Sequence, residues 1–296
     1  MSLRWYVKKA ARSGLALGTF GTGGTLASKL VPGGARVRAL TYHRFGVEER
    51  EPFCVHPRDF EEQIAWLASE GLAASLDDVI EHAHGRRALR DGSVLVTIDD
   101  GCVSTLEIAL PILEKHRVPS VAFITSSLIG VGHLGLPERY LTWDELRACA
   151  ATRMAIGSHA FSHRSLGQMP IAEARDEARR SREQLESELG TRVRSFAYPF
   201  GTHGDFTPAT DAALREAGYE IAFNSQHGAI RAGGAIRAGG AMRARESFSL
   251  PRVKVEGGEG LWMFKLLAQG AMDPWRVVDQ NLWRLQRVRK EIVAAE

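Results

Sequence analysis

Two short stretches of this chain concentrate side chains with chemical reach. Thr97-Ile98-Asp99-Asp100-Gly101 offers two adjacent carboxylates, and Gly157-Ser158-His159-Ala160-Phe161-Ser162-His163 offers two imidazoles at i and i+4. One Asp with two His gives a divalent transition metal fixed oxygen and nitrogen ligands and leaves positions open for water, while the second Asp stays available as a base. A set of this kind activates water, so the chain reads as a hydrolase. Each piece also has a plainer reading, since Asp-Asp-Gly alone is a turn and a His pair alone is solvated surface. Their joint placement, each just after a strand-like run, weighs against those readings.

The elements that position them can be read from pattern. The run 93–98 is apolar and β-branched, as a strand buried on both faces of a parallel sheet should be, and it ends where the carboxylates begin. Neighbouring side chains on an extended segment point to opposite sides, so one of Asp99 and Asp100 can bind metal while the other remains free. A second short strand over 153–157 delivers His159 and His163 to the same rim, and strand C-terminal ends are where α/β folds keep their active sites. Further strands are expected over 37–42, 120–124, 193–198 and 219–223. Phe60, Ile64 and Leu67 repeat at helical spacing before Gly71, and Thr142-Trp143-Asp144-Glu145 is a capping box. The charge-rich stretch 171–189 is a helix stopped by Gly190, and Thr207-Pro208 opens another with a cap and a Pro at its first position. Alternating strands and helices imply an α/β barrel.

With these motifs in hand, the chain resembles the polysaccharide deacetylase family, the NodB homology domain of carbohydrate esterases. Thr97-Ile98-Asp99-Asp100-Gly101 is similar to its Thr-Phe-Asp-Asp-Gly motif, His159 to His163 to its His-Ser/Thr-x-x-His motif, and Phe196-Ala197-Tyr198-Pro199-Phe200-Gly201 to its groove-forming loop. Leu40-Thr41-Tyr42-His43-Arg44 and Leu250-Pro251-Arg252-Val253 resemble the first and a late strand of one subgroup. The resemblance runs over roughly 37–255 and implies a distorted (β/α) barrel of about seven units as a single catalytic domain. It implies that Asp100, His159 and His163 hold the metal, that Asp99 is the base, and that the Phe200 backbone N–H meets the oxyanion while Tyr198, Pro199 and Phe200 wall a sugar groove. The activity implied is hydrolysis of an N-acetyl or other N-acyl group from an amino sugar, in a polysaccharide or a lipid-linked saccharide. Zinc is the expected cofactor, with cobalt, nickel, manganese and iron as alternatives.

Departures from that pattern are specific. Ala160 stands where a Ser or Thr usually fixes the second motif, so looser positioning of the ligand loop is expected. Ala197 stands where many members place the Arg that orients the base, which leaves Arg252 or Arg194 to take over from another strand. No histidine follows His227, so the late His that serves as acid is missing, and His43, at the end of the first strand, is the expected substitute; a buried core histidine is the plainer reading. These losses keep a catalytically dead sugar-binding module open as an alternative. The ligand set is also that of non-haem Fe(II) oxygenases, but there the carboxylate closely follows the first His, whereas Asp100 lies far upstream.

Composition fits an ordinary enzyme: 296 residues, 44% hydrophobic and 25% charged, with a formal net charge of +3 that gives no argument for nucleic acid. Three cysteines, Cys54, Cys102 and Cys149, do not make a disulfide framework, which leans towards a cytoplasmic setting, with Cys102 expected as a buried filler. Residues 1–36 carry Arg4, Lys8, Lys9, Arg12, Lys29 and Arg36 without an acid, and they are expected to form a basic N-terminal arm that touches anionic membrane, a plain disordered extension being the alternative. The glycines between Gly14 and Gly24 make this stretch too weak to span a bilayer, and they lack the Gly-Lys-Ser/Thr ending of a phosphate loop. Residues 228–245 repeat Gly-Ala-Ile-Arg-Ala-Gly, read as a surface-loop expansion. Beyond the barrel, 37–256, the tail 257–296 carries Leu261, Trp262, Phe264, Leu267, Trp275 and Trp283 at helical spacing beside arginines. That pattern suits a membrane-interface helix or one packed back on the barrel.

Overall fold

The structure, a computed structural model, describes residues 3–21, 35–48, 51–132, 137–232 and 246–279. Along the chain run α1 (Leu3–Gly21), β1 (Arg36–Tyr42), β2 (Arg44–Phe45), β3 (Cys54–Val55), α2 (Pro57–Ser69), α3 (Leu76–Ala83), β4 (Val94–Ile98), α4 (Leu110–Lys115), β5 (Ser120–Ile124) and α5 (Trp143–Ala150). They are followed by β6 (Met154–Ser158), α6 (Ile171–Leu189), β7 (Ser195–Ala197), α7 (Pro208–Glu216), β8 (Ile221–Phe223), β9 (Ile230–Arg231), β10 (Arg252–Lys254) and α8 (Gly260–Gln269). The strands expected over 37–42, 93–98, 120–124, 153–157, 193–198 and 219–223, and the helices expected around 60–67, after Thr142, over 171–189 and after Thr207, each fall on one of these.

The main sheet runs β10-β1-β4-β5-β6-β7-β8 with every neighbouring pair parallel, and β9 adds an antiparallel pairing to β1. A parallel bridge from Phe223 to Leu250 brings β8 back to the strand that leads into β10, so the sheet curls on itself. Alternation along the strands sorts side chains into two cores. Val37, Ala39, Leu95, Val121, Phe123, Ala197 and Phe223 form one, joined by Val79 and Ile80 of α3; Leu40, Tyr42, Val94, Val96 and Ile98 form the other, with helix residues such as Phe60, Ile64 and Leu67. Thr97 and Asp99 continue the parity of Leu95, so the first carboxylate belongs to the enclosed side.

Local chemistry sets the helix ends. Ser75 with Asp78, Thr142 with Glu145, and Thr207 with Thr210 are reciprocal caps on α3, α5 and α7. Gly190 ends α6 in the left-handed region at φ 64. A five-residue π-helical turn, Thr105–Ala109, leads into α4, where Pro111 removes a backbone donor and disturbs regular pairing.

The N-terminal segment departs from expectation. The part of it in α1 lies against α8, Ala16 is buried in the outer core, and two of the cations expected to meet a membrane, Lys9 and Arg12, are paired inside the protein. Arg12 Nε donates to Glu259 at 2.6 Å and Lys9 Nζ to Glu256 at 3.0 Å. Acids distant in sequence have claimed these charges, so along its described part the basic stretch is a docked helix. Among the described residues no helix is long and apolar enough to cross a membrane. In α8, Met263, Phe264, Leu266 and Leu267 are buried, so this part of the tail packs on the barrel while Trp262 stays half exposed. The remainder of the six-residue repeat, 233–245, and residues 280–296 with Trp283 lie outside the described residues.

Candidate metal and catalytic site

The second carboxylate reaches the site by a route that simple alternation does not give. β4 ends at Ile98, and Asp100 then adopts φ 76, a left-handed conformation that turns its side chain back over the rim. Both carboxylates therefore face one imidazole: His159 Nε2 lies 4.0 Å from Asp99 Oδ2 and 3.6 Å from Asp100 Oδ1. His163 Nε2 lies 3.4 Å from the same Asp100 oxygen. The expectation that the two acids would point to opposite sides is corrected by that turn.

Asp99 is buried and clamped. Arg252 Nη1 donates to Oδ1 at 2.7 Å and Nη2 to Oδ2 at 2.8 Å, while Arg252 Nε donates to the Asn224 carbonyl at 3.1 Å. Arg252, itself 1% exposed, lies over the Phe123 ring at 5.4 Å. A Cβ on Gly157 would stand 2.5 Å from that ring, so only glycine leaves Phe123 this place. Burial alone would push the Asp99 carboxyl up, but Arg252 and His159 outweigh it and hold the pKa below its ordinary value. Of the two arginines expected to replace the missing third-motif Arg, Arg252 does so. Arg194 instead pairs with Glu220 at 2.8 Å and with Asp77.

Asp100, His159 and His163 converge with ligand atoms within 4.8 Å of one another. His159 follows β6 directly and its Nδ1 lies 2.7 Å from the Ala197 carbonyl, which makes Nδ1 the protonated nitrogen and leaves the Nε2 lone pair toward Asp100. Burial pushes His159 down to about 4, so this ring is neutral. Burial also works against a charged His163, yet the Asp100 carboxylate overrides it and raises that pKa. Asp100 Oδ1 is buried with no hydrogen-bond partner. A buried acceptor facing two imidazole nitrogens is what a divalent cation would satisfy, so the residues fit a metal of the zinc type.

The loop that carries these histidines is not loose. Ala160 and His163 both take left-handed conformations, at φ 64 and φ 58, and Ala160 is fully buried. The carboxylate of Glu177, reaching from α6, accepts from Phe161 N at 3.0 Å, Ser162 N at 2.8 Å and Ser162 Oγ at 2.5 Å. This correction has a physical cause: an acid on a neighbouring helix supplies the acceptors that a local hydroxyl would have offered. A signal for it existed, because Glu177 falls with Ala174, Ala178, Ser181 and Leu185 on the buried face of an otherwise exposed, charged helix.

The other expected residues divide. His43 lines the same cavity, of about 770 Å³, as Asp99, Asp100, His159 and His163. Its Nδ1 is buried without a partner, its ring meets Phe53 edge-on at 4.8 Å, and burial lowers its pKa despite the nearby Asp100 and Asp99. Phe200, 58% exposed at φ 62, sets its ring 5.1 Å from His163. Tyr198 touches the cavity, but its side chain is fully buried and its hydroxyl donates to Asp211 at 2.8 Å, which makes it support for the groove loop rather than an open wall. Pro199 is buried behind Phe200 and its carbonyl accepts from Gly201 N at 2.7 Å. Cys102 is buried and its thiol is pushed well up by burial, as befits an inert filler.

A family model described as polysaccharide deacetylase matches residues 86–222, which contain both ligand motifs and the groove loop. Among curated relatives, YxkH of Bacillus subtilis, assigned by name to the polysaccharide deacetylases, is 23% identical, with 66% of each chain covered. The poly-beta-1,6-N-acetyl-D-glucosamine N-deacetylase of Escherichia coli is 22% identical over 84% of this chain and 42% of its own length. The chain thus spans less than two thirds of these relatives. Among solved structures, IcaB from Ammonifex degensii superposes with a TM-score of 0.67 at 25% identity, covering 81% of this chain and 98% of that one. The Streptococcus pyogenes deacetylase PplD, solved with acetate, gives 0.67 at 20% identity, covering 81% and 99%. These neighbours share the curled parallel sheet.

Proposed function

Because the chain belongs to the polysaccharide deacetylase family, we propose that it hydrolyses the N-acetyl group of an amino sugar within a polymer, a β-1,6-linked N-acetylglucosamine chain being the first candidate. The observation that carries this reading is the Arg252-clamped, ionised Asp99 beside the converging, underpartnered Asp100–His159–His163 set. A divalent cation held by those three residues would polarise the acyl carbonyl and acidify water.

The protein's own groups account for the remaining needs. Asp99 takes the proton of the attacking water, and Arg252 keeps it ionised and aimed for that purpose. His43 stands on the same wall, placed to pass a proton to the departing amine; burial favours its neutral form, so it must first take that proton up. The Phe200 backbone N–H meets the developing oxyanion, and its exposed ring offers a face to the sugar. The paired Lys9 and Arg12 weigh against a membrane-bound arm, so a soluble polymer is favoured over a lipid-linked saccharide.

Acetate release from β-1,6-linked N-acetylglucosamine oligomers, with and without added divalent metal, tests the reading. Metal-dependent release should fall by about 100- to 10,000-fold in Asp99→Asn, the range that a general base supplies. Release unaffected by that change would remove Asp99 from the chemistry. No release by a protein that binds the oligomers would mark a sugar-binding module instead.

A further inference from the structure

We propose that the catalytic cavity extends into a second sugar subsite, built around His227, that binds a neighbouring unit of the polymer. This rests on the deacetylase reading, but its test separates the two. The cavity lined by Asp100, His159 and His163 is also lined by Arg12 of α1, Gln226 and His227 after β8, and Trp275 and Asp279 after α8. None of these latter residues lies in the matched stretch 86–222.

His227 is the pivot. It is 6% exposed, and the Asp279 carboxylate accepts from its backbone N at 2.8 Å and lies 2.9 Å from its Nδ1. A carboxylate only accepts, so Nδ1 carries a proton and the ring is fixed in one orientation. Nε2 is then left buried without a partner, in a residue that lines the cavity. A fixed polar atom with nothing to bond is a cost that a ligand hydroxyl or amide can relieve.

The chemistry around it selects the ligand class. Trp275 is half-buried and supplies an aromatic surface of the kind that pyranose rings lie against. Arg12, one of the cations lining the cavity, is paired with Glu259 at 2.6 Å and donates to the Lys254 carbonyl. A phosphate would therefore find its charge already spoken for, whereas a neutral sugar meets an aromatic face and one unmet nitrogen.

The test compares N-acetylglucosamine with its β-1,6-linked tetramer, using the full chain with Asp99→Asn so that ligand is not consumed, by titration calorimetry. The unchanged subsite should bind the tetramer at least tenfold more tightly than the monomer. His227→Ala and, independently, Trp275→Ala should each lower tetramer affinity about tenfold and leave the monomer alone. His227→Gln, which can still present a hydrogen-bonding amide, should recover part of the loss. Melting curves identify a variant that fails to fold, and Trp275→Ala then decides. An equal tetramer-to-monomer ratio in folded variants and parent would overturn the subsite and leave a water-filled lobe. Acetate release is read separately in the Asp99 protein, so a tetramer preference without release would sink the deacetylase reading while keeping the subsite.

Discussion

Acids and bases meet in two very different places in this molecule, the barrel rim and the outer face of α6. On α6, Arg179 bridges Asp176 and Glu183 at 2.7 Å each, with all three side chains about half exposed. At the rim, Arg252 grips Asp99 at nearly the same distances with both side chains 3% exposed or less. The geometry is alike and the consequence is not. In water a pair gains little over its separate hydration, whereas inside the barrel neither partner can be left alone. At the rim, Asp100 Oδ1 and His43 Nδ1 are buried without partners in residues that line one cavity.

Removing Arg252 presses hardest on that contrast. Arg252→Ala leaves a buried carboxylate without its counter-ion, which should cost about 3–5 kcal/mol of stability. The loss should shrink at low pH, where Asp99 can be neutralised: its folded pKa is held down by Arg252, so the stability from this pair is present above the carboxylate's unfolded value and fades as pH falls through the folded one. Denaturant unfolding of parent and variant at neutral and acid pH measures both. A variant as stable as the parent at neutral pH would mean that Asp99 has found another partner.

A smaller effect is expected from Glu177, which acts on the rim from α6 itself. That helix therefore holds both kinds of acid, the exposed Asp176 and the buried Glu177 one residue on. Glu177→Ala frees the backbone N–H groups of Phe161 and Ser162 and should let His163 drift. Metal affinity should then fall about tenfold, in line with other groups that orient a ligand from behind. Glu177→Gln keeps acceptors in place and should restore most of it. Calorimetric titration with zinc reads the affinity, and an Ala variant that binds zinc like the parent would reduce Glu177 to a fold-stabilising role.

These two residues also show where sequence reading stops. The convergence of Asp99, Asp100, His159 and His163 was legible because each pair closely follows a short strand, Val94–Ile98 or Met154–Ser158, so motif and position sit in one short window. The choice of Arg252 over Arg194 was not, because it depends on β10 lying beside β1 in the curled sheet, a fact of topology that no local pattern carries. The left-handed turn at Asp100 is likewise fixed by its surroundings, since nothing in the residue type demands φ 76. Lys9 and Arg12 misled for the same reason: their acidic partners, Glu256 and Glu259, lie at the other end of the chain. Short-range pattern predicts what a segment is, and long-range pairing decides what its charges do.

The weakest expected effect completes the comparison. Arg179→Ala breaks two well-formed ion pairs, yet all three groups are hydrated when apart, and holding long side chains in one geometry offsets much of the attraction. The melting temperature should stay within measurement error of the parent's, acetate release should not change, and added salt should make no difference between the two proteins. A clear drop in melting temperature, erased by salt, would show that α6 relies on its surface network after all. That result would narrow the gap between the two regions, because it would mean that number and mutual support of exposed pairs can stand in for burial. An unchanged protein would instead locate the energetic weight of charge in the enclosed Arg252–Asp99 pair, where it also holds the Asp99 carboxyl ionised.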